Sequence, residues 1–249
     1  MMRILLLDIE TSPNLAYVWG LFKQNVAINQ IKESGSVLCW AAKWLGEERI
    51  HFDSVKKSGE QAMLERIHKM VDQADAVVHY NGKSFDLPSL NREWLRLGMP
   101  PPSPAKHIDL LHVARHHFRF TSNKLDYVSK YLGLGQKEKT NGFELWTDCM
   151  AGKREAWRQM EAYNRQDVAL LESLYLRLLP WIDRHPSHGA VDDEAVCPKC
   201  GGAELQPRGY AYTSVHKYRR YQCASCKGWL RGNRTLLAPR RERILNAAA

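Results

Sequence analysis

The segment "LLLDIET", Leu5 to Thr11, sets the first limit on the fold. So apolar a run reads as a buried strand. Strand side chains alternate between faces, so Asp8 and Glu10 fall on one side with a single residue between them. Two bare anions at the end of a buried strand need cations, protons or donors nearby, because an ionised and unpaired carboxylate is expensive to desolvate.

The rest of the first 183 residues reads as one α/β unit. Strands are expected at Arg3 to Ile9, Ser36 to Leu45, Arg49 to Val55 and Ala76 to Tyr80, the second and third as arms of a hairpin. Ser58 with Gln61 has the form of a capping box, and Met63, Ile67, Met70 and Ala74 follow at helical spacing. Strand, helix, strand predicts a parallel pair within a mixed sheet. A second helix is expected from Phe85 to Gly98, a short one through Leu125, Val128 and Leu132, and the longest from Lys153 to Leu179. Pro180 and "HPSHGAVDDE" then read as a linker over 184–196.

Two further carboxylates stand out. Ala156, Met160, Tyr163, Leu171 and Leu174 form an apolar stripe along the long helix, and Asp167 occupies the missing step between Tyr163 and Leu171. In "HYNGKSFDLPSL" a strand ends, an Asn-Gly turn follows, and Asp86 sits in the first turn of a helix, where exposed backbone amides favour an acid. An α/β fold can gather Asp8, Glu10, Asp86 and Asp167 at one sheet edge. Hard oxygen ligands in that number suit two Mg2+ or Mn2+ ions, which clamp a phosphodiester.

Charge and cysteines mark a separate C-terminal module. Of the 36 Lys and Arg, 25 lie in the first 196 residues and 11 in the last 53; the 27 Asp and Glu divide 25 and 2. The net charge of +9 therefore belongs to residues 197–249, a footprint suited to a polyanion or to a solvated basic face. Cys197, Cys200, Cys223 and Cys226 form two C-x2-C knuckles in the same segment. That spacing is the signature of a structural Zn2+ site in a module too small for its own apolar core. Cys39 and Cys149 are isolated and read as small buried hydrophobes. No stretch approaches the roughly 18 apolar residues of a membrane helix, and the start turns acidic too soon for a secretory signal, so a cytoplasmic, membrane-free setting is expected.

In order, "DIET", "NGKSFD" and "YNRQD" resemble the three motifs of 3′–5′ exonucleases of the ribonuclease H-like superfamily, the group with one Glu and three Asp ligands and a third-motif tyrosine. Its members are similar to the proofreading domain of family B DNA polymerases and stand-alone relatives. "KLDYVSKYLGL" adds to the resemblance, which spans Met2 to Leu179. It implies an α/β fold with a mixed sheet flanked by helices and a two-metal-ion exodeoxyribonuclease releasing nucleoside 5′-monophosphates. Asp8 would bridge both ions, Glu10 and Asp167 would complete the ion that activates water, and Asp86 would hold the second. Tyr163, one helical turn before Asp167, would orient the water or phosphate. Asn81, Phe85, Thr11 and Ser12 would meet the single-stranded 3′ end, and Tyr17, Trp19 and Phe22 are stacking candidates beside the alternative of packing under a loop.

In the basic module, Arg208, Lys217, Arg219 and Arg220 mingle with Tyr210, Tyr212, Tyr218 and Tyr221, a pattern suited to single-stranded DNA or RNA; Arg231, Arg234, Arg240, Arg241 and Arg243 extend the positive field. A polymerase or a repair or replication protein is the other partner such a ribbon would take. His112, His116 and His117 read as helix surface near phosphate. Two alternatives stay open: an exoribonuclease or structure-specific nuclease on the same fold, and a non-catalytic nucleic-acid-binding adaptor.

Overall fold

The computed structural model describes residues 2–138, 140–192 and 195–237. Arg240, Arg241 and Arg243 lie outside them. The chain divides into two compact units, Arg3–Leu176 and the residues from Arg177 onward together with Met1–Met2. Among the described residues no helix is long and apolar enough to cross a membrane.

The larger unit is built on a five-stranded sheet in the order β5-β4-β1-β6-β7. These strands are β1 (Ile4–Thr11), β4 (Val37–Trp44), β5 (Ile50–Ser54), β6 (Ala76–His79) and β7 (Lys106–Asp109). β1 runs antiparallel to β4 and parallel to β6, so the mixed sheet turns from antiparallel to parallel at its central strand. Leu5, Leu6 and Leu7 are at most 1% exposed, each contributing roughly 1.5–3 kcal/mol of burial. A minor pair, β2 (Leu15–Ala16) and β3 (Ile31–Glu33), closes the excursion between β1 and β4.

Alternation along β1 separates two faces. Leu5, Leu7 and Ile9 pack with Met63, Leu64, Ile67 and Val71 of α2 (Glu60–Asp72) and with Leu90 and Trp94 of α3 (Asp86–Arg96). The indole N–H groups of Trp40 and Trp94 donate to the carbonyls of Met63 and Leu64, at 2.9 and 3.2 Å, which fixes α2 on that face. Asp8 and Glu10 point to the other face, with their register partners Ala41 and Cys39. There α7 (Arg154–Leu178) crosses: Lys43 pairs with its Glu172 at 2.5 Å, and Asn164 reaches Asp8.

The helical starts differ from expectation in one place. Ser54 caps the four-residue α1 (Val55–Ser58), and α2 begins after Gly59 without a side-chain cap, so Ser58 and Gln61 form no capping box. The Ser58 hydroxyl instead accepts from Arg66. The remaining helices are α4 (Leu110–His117), α5 (Leu125–Tyr131) and α6 (Phe143–Met150). Neither β7 nor α6 was expected; β7 has only four residues and follows the proline run, and α6 has two turns after a loop rich in Gly and Lys.

The smaller unit holds α8 (Gly189–Asp192) and an antiparallel sheet in the order β10-β9-β8, made of β8 (Leu205–Tyr212), β9 (Lys217–Cys223) and β10 (Trp229–Thr235). Both cysteine knuckles are tight turns at one end of this sheet, where Gly201 N–H donates to Cys197 and Lys227 N–H to Cys223.

Candidate active site

The carboxylate strand ends where its pairing changes. Glu10 opposes Cys39 but Thr11 opposes Val37, so β4 carries an extra residue at Leu38, a bulge of the kind that re-aims strand ends. Asp8 and Glu10 are half-buried there, and Asp167 from α7 is 1% exposed. One carboxylate oxygen from each of Asp8, Glu10 and Asp167 lies within 4.8 Å of the others. Asp86 stands apart from this trio: from the first turn of α3 it accepts the Ile9 amide at 3.2 Å, between the two strand acids, close enough for its charge to act on Asp8.

The turn before Asp86 is built around two buried side chains. Asp109 accepts the amides of Asn81 (2.9 Å), Lys83 (3.4 Å) and Leu111 (3.1 Å), while His79 Nδ1 accepts the Gly82 amide at 3.1 Å. A Cβ on Gly82 would meet the His79 ring at 2.5 Å, so only glycine fits. Asn81 takes a positive φ of 68°, as asparagine tolerates.

The electrostatics follow from crowding. Burial, then the charges of Asp167, Asp86 and Glu10, push the Asp8 carboxyl well above the usual range. Burial, then Asp167, raises Glu10 to about 8, and burial raises Asp86 to about 7 against the pull of the Ile9 amide. Burial raises Asp167 too, opposed by Lys137. Lys137, in the loop before α6, points its ammonium at Asp167 and lies 3.0 Å from the Tyr163 hydroxyl. Burial and Asp167 together hold that phenol neutral, with its pKa above the ordinary value. Trp146 of α6 donates to Glu10 Oε2 at 3.2 Å and packs edge-on against Tyr163, and Asn164 Nδ2 donates to Asp8 Oδ2 at 2.7 Å.

These residues fit hard cations. Three acids share one point at the cost of mutual repulsion, and among the described residues Asp167 Oδ1 is buried without a hydrogen-bond partner while the Lys137 ammonium engages the other Asp167 oxygen. A titration follows. Carboxyls raised on folding bind more protons folded than unfolded, so they lower stability as pH rises through the raised values. Burial also lowers His79 to about 4, with the opposite sign between 6.5 and 4, but above pH 6.5 it is neutral in both states and drops out. In buffer without divalent ions, Tm is expected to fall from pH 6.5 to 8, by a loss of order a few kcal/mol, and Mg2+ or Mn2+ should restore it most at the alkaline end. A flat profile across that window would contradict the crowding.

A groove of about 600 Å3 runs from Asp8 past Asn81, with Arg115, Lys124 and Lys137 on its walls. Phe85 is 44% exposed. Thr11 is half-buried, and Ser12 is engaged with Ser36: its amide donates to the Ser36 carbonyl at 2.8 Å, and its hydroxyl accepts the Ser36 amide at 2.9 Å. Tyr17, Trp19 and Phe22 are not packed under a loop; Trp19 is 98% exposed. Arg115, Lys124, Lys137, Trp146 and Asn164 were not singled out from sequence. Asn164 had a signal, lying four residues after Met160 on the buried stripe, whereas the loop and surface cations had none.

In the smaller unit the four Sγ atoms of Cys197, Cys200, Cys223 and Cys226 also lie within 4.8 Å of one another. The Cys197–Cys226 and Cys200–Cys223 separations are 3.7 and 3.6 Å, too long for disulfides and close to the roughly 3.8 Å edge of a tetrahedron with ~2.3 Å metal–sulfur bonds. Burial opposes ionisation of Cys223, yet amide donors from Cys226 and Ser225 bring it down to about 7. Soft thiolates so placed fit Zn2+. Cys39 and Cys149 are buried, as expected of apolar fillers.

No curated protein matches the sequence. Among solved structures, the family B DNA polymerase from the hyperthermophilic archaeon Pyrobaculum calidifontis is similar in fold, with a TM-score of 0.56 and 18% identity over 72% of this chain. The likeness takes in 25% of that polymerase chain, so the present protein corresponds to about a quarter of its length. Residues 5–179, which hold all four carboxylates, match the RNase_H_2 family. Its sheet of mixed direction flanked by helices is ribonuclease H-like, and the chain belongs to the RNase_H superfamily.

Proposed function

We propose that this protein is a divalent-metal-dependent 3′–5′ exonuclease acting on single-stranded ends of DNA. The observation that carries the reading is the convergence of Asp8, Glu10 and Asp167 on one point with Tyr163 beside Asp167. Asp8, Glu10 and Asp167 would hold one ion, and Asp8 with Asp86 a second. When bound, such a pair lowers the pKa of an attacking water and offsets charge on the leaving 3′ oxygen.

The remaining tasks fall to side chains. Tyr163, held neutral, donates a hydrogen bond to the water or the scissile phosphate and orients it; a phenol raised above its ordinary pKa is a poor general base. Lys137 balances charge at Asp167 and lies beside the groove, where it attracts phosphate. Trp146 and Asn164 fix the Glu10 and Asp8 carboxylates in place. Asn81 and Phe85 shape the path of the strand, Arg115 and Lys124 line it, Thr11 ends β1, and Ser12, Tyr17, Trp19 and Phe22 lie on the segment leaving it. In the smaller unit the four cysteines would hold one Zn2+ that supports the ribbon, and its Arg208, Lys217, Arg219 and Arg220 grip the polynucleotide.

End-labelled single-stranded DNA and RNA with Mg2+ or Mn2+ test the reading. Stepwise release of nucleoside 5′-monophosphates from the 3′ end of DNA supports it. Faster release from RNA makes the enzyme an exoribonuclease, since carboxylates read phosphate and not sugar. Binding without turnover in either ion makes the protein an adaptor.

A further inference from the structure

Among the described residues, neither face of the smaller unit's three-stranded sheet is packed on an apolar core. Antiparallel sheets ordinarily set one face on a core, but here Cys223 alone among the residues of β8, β9 and β10 is buried. The cysteine cluster at one end replaces that core. Among the described residues nothing buries either face.

Cross-strand register sorts the cations and rings into two sets, because residues directly opposite one another share a face. On one face Tyr210 opposes Arg219 and Tyr212 opposes Lys217. The Lys217 ammonium lies 3.8 Å from the Tyr210 ring centre and 5.7 Å from that of Tyr212, and the Arg219 guanidinium 5.4 Å from Tyr210. On the opposite face Arg231 opposes Arg220, and Trp229 and Tyr218 stand beside them. Arg220 lies 5.0 Å from the Trp229 ring and Arg231 4.1 Å from Tyr218. Each face thus sets two cations against aromatic rings, and the first face adds Tyr221 two residues along β9 from Arg219.

Among the described residues, no carboxylate pairs with Lys217, Arg219, Arg220 or Arg231. Residues 195–237 hold eight lysines and arginines and one acid, Glu204. Like charges directly opposed, as Arg220 and Arg231 are, destabilise a sheet. A polyanion relieves that repulsion, and the rings beside the cations stack unpaired bases, which a duplex would hide. Charge complementarity and stacking together favour a single-stranded polynucleotide over an acidic protein, which offers no bases.

We propose that the ribbon has two separate strand-binding faces, one of Tyr210, Tyr212, Lys217 and Arg219 and one of Tyr218, Arg220, Trp229 and Arg231, so that a single ribbon holds two single strands at once. This rests on the reading of the ribbon as a polynucleotide grip. The faces lie back to back across one sheet, so a short oligonucleotide bound to one does not touch the other. A ribbon of this kind holds both parted strands at an opened end.

The experiment uses the full chain carrying Asp8→Asn, to prevent degradation, titrated with short labelled oligothymidylates. One variant pairs Tyr210→Ala with Lys217→Ala, and another pairs Trp229→Ala with Arg220→Ala; each is checked for one zinc per chain. Where zinc is lost, Lys217→Gln or Arg220→Gln alone replaces the pair. Each variant is expected to remove one bound oligonucleotide per chain, with about tenfold weaker binding at the altered face, and the combination to remove two. Donor- and acceptor-labelled oligonucleotides should come together on the parent chain, and energy transfer should fall in either variant. Loss confined to one variant overturns the two-faced arrangement. No loss in either overturns it together with the grip reading, as does equally strong competition by polyglutamate of matched charge. Nucleotide release by the unaltered enzyme is measured alongside and judges the nuclease reading separately.

Discussion

An Asp8→Asn protein is expected to lose at least roughly a thousandfold in the rate of 3′ nucleotide release while melting at a higher temperature than its parent in metal-free buffer. The two effects have one cause. Asp8 has the charges of Asp167, Asp86 and Glu10 around it, and its own charge is useful only when a cation is there to be shared. An amide of the same shape keeps most of the packing, removes the repulsion and removes the ligand. Each kcal/mol so relieved should appear as ~2–4 °C in Tm for a domain of this size. Initial rates on labelled DNA and a melting curve at pH 8 measure both. Retained activity would sink the catalytic role, and lost activity with a lowered Tm would point to damaged folding.

Removing metal from the four-cysteine site is the second large effect. Apparent zinc binding energies in small finger peptides are about 10–16 kcal/mol, far more than a sheet with only Cys223 buried along its strands can supply from packing. A strong thiol-competing chelator, or Cys200→Ser, should therefore unfold residues 197–237, opening the segment to protease and releasing one zinc per chain. The far-UV signal of the helices in the larger unit should persist, since Leu5, Leu64, Met160 and their neighbours are buried within it. A ribbon that resists protease after complete metal removal, or cysteines that titrate as two disulfides, would refute a structural zinc.

Much of this was legible in the amino-acid order because the informative residues break local rules. Asp8 and Glu10 interrupt an apolar strand and Asp167 an apolar helical stripe, and their oxygens meet within 4.8 Å. The cysteine spacing led likewise to the clustered thiols. What escaped was chemistry without a local signature. Lys137 is one of two lysines in a loop that also holds Gly133, Gly135 and Gly142, and only the tertiary fold turns it towards Asp167. Trp146 lies on a helix that no clear periodicity announced. Asn164 sits beside the motif tyrosine, yet its bond to Asp8 depends on how α7 crosses the sheet. Asp86 was read as a residue favoured by helix amides; in the fold its own first-turn amide does act on it, and it also accepts that of Ile9, 77 positions away.

That last bond has a cost for anyone redesigning the protein. Because Asp86 grips the main chain of the very strand that carries Asp8 and Glu10, a replacement without an acceptor also strands a buried donor, and such a mutant's phenotype would conflate two injuries. Asparagine, which keeps an acceptor for the Ile9 amide while discarding the charge, is the substitution that tells them apart.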